Sequence, residues 1–422
     1  MALLPEERRY LRLLAAVQFL AFLDFELLMP MGPFLGPELG IQTAELGRLV
    51  SVYTFGAMAG ALLYGRYADR WSKRTALITS MAILALATLA CGLAQKPWHL
   101  LAARAVAGFM AGPAGAAVMA LAADLVPEER RGEALGVVMS GYTVASVLGL
   151  PVAVYTAGRL GWRPPFLALA AIAACVLFLA WRSLPAKAPQ ERLEAGPPPW
   201  VPPATPAMAW AWAGAAVMVV ADFCFVPFLP SLFTGNLGLS KEALGWCYFA
   251  GGLTTLVTFR VSGRLSDRFG SFPVVAVASA LAALAVGTAF SGLHGPISVG
   301  AGMALMAFIF FANAPRVLSA FALFSKAPDP EHQGLHQSFL AVIQYGVIGA
   351  TSWGVSVLVA GGEPGSLAHT DRLLAIYGTA LVLALPILWI LEQKTIRSYD
   401  GDPKPLLQKV EEKGRAQYSA GK

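Results

Sequence analysis

The segment Phe22-Leu23-Asp24-Phe25-Glu26-Leu27-Leu28-Met29-Pro30 sets two carboxylates in an otherwise apolar run. Ionisable side chains are costly in hydrocarbon, so they are functional candidates there. A carboxylate in a low-dielectric site favours its protonated form. That suits it to carry a coupling proton, or to exchange a proton for a cationic substrate. The plainer alternative is a carboxylate held in a fixed ion pair or reaching a watery vestibule. Asp24 and Glu26 lie two residues apart, so about 200° apart around a helix, and they are not expected to face one cavity. The sequence does not choose between them. Glu26 stands four residues before Pro30. Arg104, inside a later apolar run, needs a carboxylate, carbonyls or water as a partner. Asp222 is a third isolated acid in an apolar segment.

The elements that must hold these residues are membrane helices. The chain has 422 residues, of which 57% are hydrophobic and 13% charged, with a mean hydropathy of +0.61. Soluble domains are not so composed. Apolar runs of roughly 20 residues, the length that spans a bilayer, recur along the chain. The alternating pattern of a membrane barrel does not. The expected class is an all-α polytopic membrane protein. The net charge of +6 fits basic loops on one membrane side and does not point to nucleic acid. The opening MALLPEERRYLR does not read as a cleaved signal. Cys91, Cys175, Cys224 and Cys247 are single residues without metal-ligand spacing. The five histidines are scattered, and no Walker-type phosphate loop occurs. Neither an enzyme nor a cofactor is expected, and no metal site.

Twelve helices are predicted near 13–34, 46–67, 75–94, 98–123, 133–157, 164–184, 207–229, 244–266, 272–292, 296–317, 336–360 and 372–391. They divide the chain into a six-helix half (1–184), a Pro-rich linker (185–206), a second six-helix half (207–392) and a polar tail (393–422). With the N-terminus inside, 22 Lys and Arg fall in cytoplasmic segments, six fall outside and three lie within spans. Cytoplasmic loops are the basic ones, so both termini are expected in the cytoplasm.

The halves read as a duplication. GRYADRWSKR (Gly65–Arg74) has a near copy, GRLSDRFG (Gly263–Gly270), 198 residues later. The same offset superposes Asp24-Phe25 on Asp222-Phe223, Leu39-Gly40 on Leu237-Gly238 and Leu46-Gly47 on Leu244-Gly245. Parallel halves related by an axis along the membrane normal place a site at the midplane between them.

This organisation, with the phrase after helix 2, resembles the major facilitator superfamily over nearly the whole chain. Arg104 and Gly108 in LLAARAVAGFMAG resemble its fourth-helix motif. ADLVPEERRGEALG resembles its loop into helix 5. GYTVASVLGLP, with Gly141, Gly149 and Pro151, resembles the helix-5 packing motif of the twelve-helix drug:proton antiporter branch. In this chain the motif's Gly-Pro pair is spread to Gly149-Leu150-Pro151. The resemblance implies alternating access, a small-molecule substrate, and a gate latch in the loop after helix 2. It also implies helices 1 and 4 lining the cavity, which makes the helix-1 acids natural partners of Arg104.

For the gate, Gly65 is expected to let two backbones approach. Asp69 would face a helix N-terminus, and Arg70 would pair with Asp124. Lys73 and Arg74 obey the positive-inside bias. Gly263, Asp267 and Arg268 would repeat these roles. Arg260 and Arg316 are expected to snorkel from cytoplasmic helix ends. Gln18, Tyr53, Tyr142, Asn313 and Gln344 are polar cavity candidates, or plain interhelical hydrogen bonds. Phe19, Phe22, Phe223, Phe225, Phe308, Phe310 and Phe311 could line an apolar pocket, or face lipid and core.

The resulting expectation is a monomeric inner-membrane secondary transporter that exports small amphipathic or hydrophobic compounds against protons. One alternative is a carrier of a defined polar metabolite, such as a sugar or amino-acid derivative. Another is a receptor or scaffold on the same fold.

Overall fold

The computed structural model describes residues 4–67, 72–127, 130–185, 205–292, 295–328, 332–360 and 366–400. Among them there is no strand, and nearly all are helical. The first six long helices are α1 (Pro5–Leu27), α2 (Glu45–Tyr67), α3 (Lys73–Gly92), α4 (Pro97–Asp124), α5 (Arg131–Val144, resuming at Leu150–Leu160) and α6 (Arg163–Ser183). The second six are α7 (Pro206–Phe223), α8 (Lys241–Phe269), α9 (Ser271–Gly287), α10 (Val299–Ser325), α11 (Gln333–Leu358) and α12 (Thr370–Asp400). Among the described residues, eleven helical segments are long and apolar enough to cross a membrane. The twelfth, α8, has 29 residues and carries Lys241, Glu242, Arg260, Arg264, Asp267 and Arg268. The end of the bundle where α1 begins is called proximal here, and the opposite end distal.

Local sequence explains the helix limits. Pro5, Pro97 and Pro206 open helices where a missing N–H costs nothing. Ser72, Thr205, Ser240 and Ser298 accept a hydrogen bond from the backbone N–H three residues on, satisfying one orphan donor each. Gly40 and Gly238, partners in the repeat, both take a left-handed conformation, φ +67° and +63°. Only glycine does so without strain, so the repeat preserves a turn as well as charges.

Proline also shapes α1 and α5. Pro30 has no N–H to give Glu26 O, and there α1 gives way to a 3₁₀ turn, Met29–Met31. In α5 a π turn, Ala145–Gly149, precedes Pro151. A proline inside a helix removes one bond and crowds the turn before it, and a π turn absorbs that misfit.

The halves meet toward the distal end. On one side a Cβ added to Gly47 of α2 would lie 2.2 Å from Ser352 O of α11. Ser51 Oγ is 2.6 Å from Gly47 O and 2.7 Å from Gly349 O, so its single proton is shared between the helices. On the other side α5 packs on α8, where Cβ atoms at Gly245 and Gly158 would meet Tyr155 Cα and Glu242 Cα at 2.9 and 3.0 Å. Lys241 Nζ lies 5.4 Å from the Phe34 ring centre. Among the described residues, the Ser51–Gly349 hydrogen bond and the Phe25–Phe223, Tyr155–Trp246 and Lys241–Phe34 contacts join the halves in the middle and distal parts of the bundle.

Three expectations about the chain are corrected. α10 ends at Ser325 and α12 at Asp400, each eight or nine residues beyond the predicted limit. A Cβ at Gly65 or Gly263 would meet nothing within 4 Å, so neither glycine admits a neighbouring backbone. The close approaches lie within α2 and α4 instead. Cβ atoms at Gly60 and Gly108 would fall 1.9 Å from Phe109 O and Tyr53 O respectively. Asp69, Arg70 and most of the linker and tail lie outside the described residues.

Candidate functional site

The two carboxylates of α1 have different surroundings. Asp24 is 1% exposed. Its Oδ1 accepts from Thr88 Oγ1 of α3 at 2.6 Å, and its Oδ2 from Arg104 Nη1 of α4 at 3.1 Å. Nη1 also donates to the carbonyl of Asp24 itself, at 2.9 Å. The guanidinium lies over the Tyr53 ring, 4.1 Å from its centre. Arg104 is itself 1% exposed. The pair is therefore a closed, charge-balanced knot tying α1, α3 and α4 together, with Tyr53 of α2 as its floor.

Glu26 is half-buried and has no hydrogen bond or ion pair among the described residues. Its electrostatic neighbours are Tyr142 of α5 and Tyr248 of α8, one from each half. Aromatic rings continue this surface. Phe22 packs on Tyr142 with centroids 3.7 Å apart. Phe25 contacts Tyr53 at 5.4 Å and reaches Phe223 of the other half at 6.1 Å. Tyr248 meets Phe310 edge-on at 6.3 Å. A single acid among rings from both halves suits a ligand with an aromatic body and a cationic or hydrogen-bonding group, since ring faces also attract cations.

The second half holds a matching but unequal pair. Arg316 of α10 is fully buried and donates through Nη2 to Asp222 Oδ1 of α7. Nη2 also donates to Asn313 Oδ1 at 2.9 Å, and Nη1 lies 3.5 Å from Met218 Sδ. The expectation that Arg316 snorkels to the membrane edge is wrong. With α10 running to Ser325, Arg316 lies nine residues, or about 13 Å, inside the helix end. Phe225 is likewise not a pocket residue. It is 1% exposed in the core, against Tyr377 and Phe290.

The remaining candidates are dispersed. Gln18 Oε1 is buried without a partner, and Gln344 is half-buried on α11. Asn313 gives its amide to Ile309 O at 3.0 Å. At the proximal end Asp124 accepts from Lys73 Nζ at 2.6 Å, and Arg74 donates to Leu184 O at 3.0 Å and to Trp181 O. All of these groups belong to the first half. Asp267 and Arg268 are exposed. In α5 a Cβ at Gly141 would lie 2.1 Å from Ala15 O of α1, and one at Gly149 3.0 Å from the Phe19 ring. Pro151 follows the π turn. Thr88 and Tyr377 were not identifiable in the sequence, because a lone Thr or Tyr in an apolar helix carries no distinguishing pattern.

Similarity to known proteins agrees with this architecture. The family model described as Major Facilitator Superfamily matches residues 14–361. A chloramphenicol resistance protein of Streptomyces lividans is 31% identical over 244 residues, covering 56% of this chain and 61% of that protein. A gentisate transporter of Corynebacterium glutamicum is 36% identical over 137 residues, 32% of this chain and 31% of that protein. The chain thus spans less than two thirds of the length of these relatives. The crystal structure of a D-xylose–proton symporter superposes with a TM-score of 0.74 at 18% identity, covering 91% of this chain and 98% of that one.

Proposed function

The chain belongs to the Major Facilitator Superfamily, and we propose that within it the protein is a proton-coupled exporter of small amphipathic or hydrophobic compounds. The observation that carries this reading is Glu26, an acid without a fixed counter-ion between aromatic rings of both halves. A fixed pair such as Asp24–Arg104 has its charge already balanced. Glu26 can hold either a proton or the polar or cationic group of a substrate, and the two compete. The proximal face is cytoplasmic in this reading, because the basic loops gather there, and the membrane is the inner membrane. Closure of the distal seam leaves Glu26 in exchange with the proximal side. Opening of that seam delivers the compound to the other side, and a proton takes its place.

A second reading is transport of a defined polar metabolite. It is favoured by the similarity to a gentisate transporter, gentisate being a small aromatic acid. The two readings separate in liposomes with an imposed pH gradient and an entrapped pH-sensitive dye. Ethidium, chloramphenicol and gentisate are supplied in turn. Export coupling predicts proton movement on adding ethidium or chloramphenicol, abolished by Glu26→Gln. Proton movement unaltered by that change removes Glu26 from the coupling. Response to gentisate alone favours the metabolite reading.

A further inference from the structure

The repeat places Asp24 and Asp222 at equivalent positions, yet their arginines are not equivalent. The repeat partner of Arg104 is Gly302, and that of Arg316 is Val118. The two cations also arrive from opposite directions. Arg104 binds the backbone carbonyls of Asp24 and Phe25. Carbonyls point toward a helix C-terminus, so Arg104 covers Asp24 from the distal side. Arg316 touches Met218, one turn before Asp222, so it covers Asp222 from the proximal side.

The two acids differ in completeness as well. The Asp24 side chain is 2% exposed and both its oxygens accept a bond. The Asp222 side chain is 19% exposed, and only Oδ1 is engaged. Each pair has two buried groups without partners, Arg316 Nε and the Tyr377 hydroxyl of α12 here and Arg104 Nε and the Tyr53 hydroxyl at Asp24, so the asymmetry lies in the free Oδ2 and the exposure of Asp222.

We propose that Asp222 is a second proton-carrying site and that Arg316 is its positioning residue. The inference rests on the proton-coupled reading above, but not on Glu26. A proton from hydronium reaching the exposed part of the Asp222 side chain forms an O–H bond on Oδ2, and the charge on that carboxylate is lost. Arg316 keeps Asn313 Oδ1 and Met218 Sδ as hydrogen-bond partners but loses its counter-ion, a cost that favours release of the proton. The Tyr377 hydroxyl accepts from the new O–H or donates to its oxygen. Release reverses these steps. The groups facing Asp222 are Arg316 and Asn313 from α10, Tyr377 from α12, and Cys224 and Met218 from its own chain segment. On the α11 side, His336 faces α7 at Trp212, ten residues or about 15 Å from Asp222. From the first half, Phe25 packs on Phe223.

Infrared spectroscopy of the purified full chain in lipid, without substrate, tests the assignment. The probe is the C=O band of protonated carboxyl groups between about pH 6 and about pH 8, where exposed acids are already ionised. Asp222→Asn is expected to remove one carboxyl equivalent from the band that titrates, leaving that of Glu26. Asp24→Asn is expected to leave the band unchanged. Arg316→Lys, which keeps the charge but not the planar fork, is expected to move the midpoint of the Asp222 component while the protein still elutes as a single species. If Asp222→Asn titrates as the parent does, or Arg316→Lys leaves the midpoint in place, the proposal is wrong. If Glu26→Gln changes nothing while Asp222→Asn removes the band, the Glu26 reading fails and this one stands.

Discussion

Arg104 and Asp24 form a fully enclosed ion pair whose two oxygens and one guanidinium nitrogen are committed to α1, α3 and α4. Such a pair holds its helices together only while both members are present. Removing one leaves a buried charge uncompensated, which costs about 3–5 kcal/mol.

Asp24→Asn and Arg104→Met are therefore each expected to lower the thermal midpoint of the solubilised protein. The double variant, which buries no lone charge, is expected to recover much of the loss. A thiol-reactive dye reports unfolding through buried Cys91, Cys224 and Cys247. A double variant that loses as much as the two single variants summed would show that the pair contributes no coupling energy.

The Asp24–Arg104 knot was partly legible in the sequence, because two charges in apolar runs must find each other. Asp222–Arg316 was not. Its acid was visible through the repeat, but its cation was set at a helix edge by a boundary near residue 317, where the helix continues to Ser325. Hydropathy marks where a helix leaves the bilayer, not where its hydrogen bonds stop. Glu26 posed a different difficulty. Spacing put it on another face from Asp24, but which face meets the cavity depends on helix rotation. The glycines of the charged phrases misled for a related reason. Gly65 and Gly263 recur in the repeat, yet the close helix contacts are made at Gly60 and Gly108, which only the packing of α2 on α4 reveals.

That packing makes a sharp contrast within one helix. Gly108→Ala would place a methyl 1.9 Å from the Tyr53 carbonyl, forcing α2 and α4 apart. Overpacking of this kind costs about 1–3 kcal/mol. Gly115→Ala meets nothing within 4 Å and is expected to be neutral or to stabilise by up to about 1 kcal/mol. Thermal midpoints of the two variants, measured side by side, decide the matter. Equal effects would mean that α2 and α4 are free to separate.

The distal seam yields a conformational prediction. A side chain at Gly47 cannot coexist with Ser352 O at 2.2 Å, so Gly47→Val is expected to hold the seam open. A reporter cysteine at Gln344, in a chain with its four native cysteines replaced, should then react several-fold faster with a membrane-impermeant thiol reagent added from the distal side. Gly300→Val, where nothing lies within 4 Å, is the control. Unchanged labelling in Gly47→Val would show that α2 and α11 do not form the distal closure.

The proximal pair Lys73–Asp124 should behave differently from Asp24–Arg104. Its side chains are 34% and 20% exposed, and ion pairs near water contribute about 0–1 kcal/mol. Asp124→Asn is therefore expected to change the thermal midpoint little. Both of its members lie in the first half, so this pair does not itself join the halves in this conformation. If the charged phrase latches them in the opposite conformation, Asp124→Asn slows transport without altering stability. Loss of stability with no change in turnover would make Lys73–Asp124 a structural tie between α3 and α4 and nothing more.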